Sequence, residues 1–139
     1  MAMSKRIQVW FPEEILKQIT ARGGDLSESI RESLTRYYAL INYERKQISG
    51  LFTPGELGMI CDMSNGTYWT GGMIPLGILA NCEDAEQMYY DKWETDRDEL
   101  LAKLRSLNVT QEHALVDACE RWWQAVGHGF NPPINQLLQ

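Results

Sequence analysis

Few side chains in this chain of 139 residues sit in patterns that could do chemistry. His113 and His128 stand far apart, with no H-x-x-x-H or H-E-x-x-H spacing to place two ligands on one helical face, so they read as solvated or capping histidines. Cys119 follows His113 by six positions, which on a helix puts thiol and imidazole on different faces and argues against a nucleophile pair. Glu94, Asp96, Asp98 and Glu99 cluster as an acid–base pair would, yet they do so at a predicted helix start, where carboxylates offset the dipole. Gly71-Gly72 is a turn with no phosphate-binding fingerprint after it. Cys61, Cys82 and Cys119 are odd in number, widely spaced and not C-x-x-C, as expected of reduced, buried thiols. No enzyme activity, cofactor or metal is expected.

Composition sets the outer limits. With 44% hydrophobic and 23% charged residues the chain can build one full-sized domain or two very small ones, and it is no disordered tail. The longest uncharged stretch, Met63 to Cys82, is broken by Asn65, Gly66, Gly71, Gly72, Pro75 and Asn81, so no membrane span is expected. No signal peptide is legible at the start, the expected compartment is cytoplasmic, and the glycosylation-like triplets Asn65-Gly66-Thr67 and Asn108-Val109-Thr110 are discounted. The net charge of −6 is unevenly divided: residues 1–49 carry +2 and residues 50–139 carry −8. A polyanion can approach the first part and is repelled by the second.

The elements that would position these residues begin with Arg6-Ile7-Gln8-Val9-Trp10-Phe11, an alternation that predicts a strand with Ile7, Val9 and Phe11 on its apolar face. Pro12 ends it and opens a short helix through Glu13, Glu14, Ile15, Leu16 and Ile19, stopped by Gly23-Gly24. Asp25 or Ser27 caps a second helix, with Ile30, Leu34, Tyr37 or Tyr38, and Ile41 on one face, running to about Gln47. A lone strand leaves its backbone groups unpaired, so a second copy, and hence an obligate dimer, is expected.

The run from Lys5 through Pro12-Glu13-Glu14-Ile15, followed by Gly23-Gly-Asp-Leu-Ser-Glu-Ser-Ile-Arg-Glu-Ser-Leu34, resembles the ribbon-helix-helix superfamily of Arc/MetJ/CopG type over residues 4–45. The resemblance implies a dimeric antiparallel ribbon in the major groove of double-stranded DNA, with Arg6, Gln8 and Trp10 facing the bases. Arginine matches guanine and glutamine matches adenine, whereas Trp10 departs from the usual polar or basic residue. It further implies a phosphate held by the backbone amides of Leu26, Ser27 and Glu28, with Lys5 and Arg22 adding phosphate attraction. Arg31 and Arg36 are instead assigned to pairing with Glu28 and Glu32 along the helix.

Beyond Ser49, Thr53-Pro54-Gly55-Glu56 is a capping box for a helix whose stripe is Leu57, Ile60 and Met63. An irregular helical stretch through Leu76, Leu79, Ala80 and Met88 follows, then a helix capped by Thr95 or Asp96 and one capped by Thr110, with Trp69, Trp93, Trp122 and Trp123 enlarging the core. The expected architecture is mainly α: a ribbon-helix-helix module at 4–49, an acidic all-helical domain at 50–130 for oligomerisation or sensing, and a tail at 131–139. The function expected is a sequence-specific DNA-binding repressor, homodimeric or larger, without membrane association and with any small-molecule effector unassigned. The alternatives are an antitoxin of a toxin–antitoxin pair and a protein-interaction module that does not bind DNA.

Overall fold

A computed structural model describes residues 10–21, 23–64 and 77–139. Its helices are α1 (Glu13–Thr20), α2 (Leu26–Ile48), α3 (Pro54–Ser64), α4 (Gly77–Asp84), α5 (Gln87–Lys92), α6 (Arg97–Ser106) and α7 (Val109–Gly127), followed by a single 3-10 turn at Ile134–Gln136. The chain divides into two compact units, Met1–Tyr38 and Ala39–Gln139, the division falling inside α2.

The expected ribbon is corrected here. Among the described residues there is no β-strand: Trp10 and Phe11, the end of the expected alternation, precede α1 without regular structure, and Arg6 to Val9 lie outside the described residues. Period-two alternation marks a sequence able to face two ways, but a strand also needs a ladder of partner N–H and C=O groups, and no described segment offers one. The ribbon-helix-helix resemblance, and the fold class built on it, are therefore not supported; the described chain is helical throughout.

In the first unit, Pro12 stands at the N-cap of α1 and Glu13 and Glu14 fill the first turn, where their charge offsets the dipole. The helix gives way to Gly23 and Gly24, at φ 76° and 83°, a left-handed pair that residues with a Cβ adopt only at a cost. Asp25 then caps α2, its Oδ2 accepting from the Glu28 amide at 3.2 Å.

The second unit has α3 at its centre. Thr53 and Glu56 form the capping box: the Glu56 amide donates to Thr53 Oγ1 at 3.1 Å and the Thr53 amide donates to Glu56 Oε1 at 2.8 Å. The predicted one-sided stripe underestimates this helix, because every residue from Glu56 to Cys61 is buried. A helix apolar nearly all round belongs inside a bundle, with α4, α7 and the 3-10 turn packed against it. Glu56 is tolerated there because Lys103 of α6 brings Nζ to 2.6 Å from its Oε1.

The predicted irregular stretch resolves into α4 and α5, which bury Ile78, Cys82 and Tyr90 rather than Ala80 and Met88. Asp96 caps α6 through the Glu99 amide at 2.9 Å, and Leu100, Leu101, Leu104 and Leu107 are buried as their spacing predicts. The last helix starts two residues earlier than a Thr110 cap would place it: Asn108 is the cap, with Gln111 completing a reciprocal box. The segment read as a tail turns back onto the core and buries Leu137 and Leu138.

Candidate functional site: an uncovered helical face and a basic cavity

An N-terminal unit of two helices should bury an apolar stripe against something, and within this unit little covers it. No residue of α1 is buried, and Ile15 and Leu16 are exposed. Along α2, Leu26, Ile30, Leu34, Tyr37, Ile41 and Ile48 recur at helical spacing on one face. Ile41 and Ile48 are buried in the second unit's core, whereas Leu26, Leu34 and Tyr37 remain exposed. Tyr38 adds to the unit's uncovered apolar area, and the Tyr37 and Tyr38 rings meet edge to face at 5.1 Å. Exposed apolar surface recurring along one helical face marks a place where another surface docks.

Of the residues expected to meet DNA, Lys5, Arg6, Gln8 and Arg22 lie outside the described residues. Trp10 is 87% exposed, its indole covered by almost nothing of its own chain. Leu26, Ser27 and Glu28 form the first turn of α2, and all three are exposed. The Glu28 amide is already taken by the Asp25 carboxylate, which also puts negative charge where a phosphate was expected. Arg36 pairs with Glu32 and Lys17 with Glu13 one helical turn away, so both cations are partly neutralised.

The residues weighed for catalysis are not assembled. His113 is half-buried within α7, and His128 is exposed at its C-cap. Among the described residues no group of His, Cys, Asp or Glu could hold a metal ion. The three thiols are buried and free: Cys61 shares a hydrogen bond with Cys119, and burial pushes the Cys82 thiol up to about 12. Raised in this way, the Cys61 and Cys82 thiols are held protonated and are poor nucleophiles. Burial also raises the carboxyls of Glu112 and Glu120, the latter with help from the nearby Asp117 charge. Among the described residues no helix is long and apolar enough to cross a membrane.

One cavity is created by long-range folding that no local motif marks. In the second unit, the returning C-terminal segment, α7 and the end of α2 flank an open cavity of about 190 Å³, lined by Arg45, Arg121, Trp122, Pro132, Pro133 and Leu137 among others. Pro132-Pro133 marked only the end of a helix, and nothing in the spacing of Arg45 and Arg121 announced that a turn-back would bring them together.

No protein-family model, no curated protein and no solved structure matches this chain.

Proposed function

We propose that this protein is a DNA-binding regulator that works as a homodimer, with its N-terminal unit as the association and DNA-facing part. The observation that carries the dimer is the apolar face of α2 from Leu26 to Tyr37, exposed although it continues the stripe that Ile41 and Ile48 bury. A second copy would cover it with a matching surface, as a two-fold interface requires. The charge division supports DNA as the other partner, since residues 1–49 are net basic and the remainder strongly acidic. Arg6 and Gln8 have donor and acceptor sets suited to guanine and adenine edges, and Lys5 and Arg22 suit phosphates.

The test is a selection of random DNA by the purified full chain, repeated for an Arg6→Ala/Gln8→Ala variant over a range of salt. The expected result is a short repeated site that the variant loses, bound more weakly as salt rises. An absence of any enriched site overturns the proposal.

A second reading, a protein-interaction module, is favoured by one observation: Trp10 is almost wholly exposed, in the same unit as the exposed Tyr37 and Tyr38. Exposed Trp and Tyr are typical anchors of protein interfaces. Crosslinking from Trp10 to a protein, with no DNA selected, is the result that would favour it.

A further inference from the structure

We infer that the cavity between α7, the end of α2 and the returning C-terminal segment is a binding site for a small monocarboxylate with an apolar, ring-sized body. The charge inside it is specific. Arg121 is answered by Asp117 in a close ion pair at 2.8 Å, but Arg45 has no carboxylate partner among the described residues. The cavity thus presents one uncompensated guanidinium, whose planar fork matches a single carboxylate through two parallel hydrogen bonds.

Gln136 and Gln139 add polar groups to the wall, and the remainder is apolar and rigid. Trp122 offers its ring, held in place by an edge-to-face contact with Trp123 at 4.9 Å and by a long 3.4 Å hydrogen bond from its Nε1 to the Pro132 carbonyl. Pro132, Pro133 and Leu137 complete that side. Two prolines and a pinned indole have little conformational freedom to lose when a ligand arrives, so the site is largely pre-formed. Its volume, about 190 Å³, lies below the roughly 300–1,000 Å³ of sites for drug-sized molecules and is open to solvent on one side, so the wall itself seats one ring or a short aliphatic chain. A wholly polar anion would leave the indole and proline faces without a partner. This site stands apart from the DNA proposal and does not depend on it.

The experiment titrates the full chain with benzoate, with its neutral isostere benzamide and with inorganic phosphate, reading binding by calorimetry and by the Trp indole N–H signals in NMR spectra. Benzoate is expected to bind and to shift the Trp122 signal, with benzamide and phosphate each weaker by about tenfold or more. Arg45→Gln is expected to lose the preference for benzoate over benzamide, and Arg45→Lys to keep it in reduced form; thermal melts establish that both variants are folded. Equal affinity for benzoate and benzamide, phosphate binding as tight as benzoate, or no benzoate binding at all each overturns the assignment. The ligand comparison on the unaltered protein decides the matter even if Arg45→Gln does not fold.

Discussion

Gly58 lies directly beneath the Trp93 ring, so close that a Cβ built on Gly58 would overlap the ring carbons Cε3 and Cδ2. One turn further along α3, Asp62 Oδ2 accepts a hydrogen bond from Trp93 Nε1 at 2.7 Å. The same helix face therefore supplies both the bare patch and the polar anchor for one indole. Gly58→Ala should lower stability by about 1–3 kcal/mol, the usual cost of overpacking. Gly50, with nothing within 4 Å of its would-be Cβ, is the control. Urea denaturation is the check: the Gly58 variant should unfold earlier with an unchanged slope, and coincident curves would refute the packing account.

Glu56 is 3% exposed and depends on Lys103 for its counter-charge. Lys103→Met should cost about 3 kcal/mol, because a carboxylate would be left buried with only the Thr53 amide to answer it. Adding Glu56→Gln should recover part of the loss. A double-mutant cycle measures the coupling, and strict additivity would show that the pair contributes nothing.

If a second copy covers the N-terminal face, replacing Leu34 with Glu should place a charge inside the interface. Sedimentation should then show a concentration-dependent dimer for the unaltered chain and a monomer for Leu34→Glu, with the near-ultraviolet signal of Trp93 and Trp122, packed against the core, retained. A Leu34→Glu protein that sediments like the parent would exclude this face from association.

The buried thiols give stability a pH dependence of definite sign. The Cys82 thiol titrates at about 12 when folded, and Cys61 is pushed up further by its hydrogen bond with Cys119, burial and neighbouring charge. Unfolded thiols release their protons near pH 8.5, so above that point the unfolded state binds fewer protons and stability falls as pH rises. The slope contributed by each such thiol approaches about 1.4 kcal/mol per pH unit. A stability profile from pH 7.5 to pH 10 that declines for the parent and declines less for Cys82→Ala is the expected outcome; identical slopes would contradict it.

Much of the helical order was legible because capping chemistry is local. Thr53 with Glu56, and Asp96 at the start of α6, are fixed by side-chain reach within one turn, and the leucines of α6 declare their face by spacing alone. The expected strand is absent at its described end, Trp10 and Phe11, because alternation speaks only to which way side chains point, whereas a strand exists only where another backbone pairs with it. Residues 57–61 were read as one-faced for a related reason: burial on the second face of α3 is decided by α4, α7 and the returning C-terminal segment, all distant in sequence. The pairing of Arg45 with Trp122 in one cavity has no local signal, because their meeting depends on that same return.

The short helix α4 is closed at its C-terminal end by side chains from the two helices that follow it. Tyr90 donates its hydroxyl to the Cys82 carbonyl at 2.6 Å, while the Arg97 guanidinium donates to the carbonyls of Glu83 and Ala85 and stacks over the Tyr90 ring at 5.4 Å. Eight residues are too few for a helix to persist by itself in water. Hence α4, α5 and the start of α6 open and close together, and their amides should exchange with solvent deuterium at one shared rate rather than fraying helix by helix.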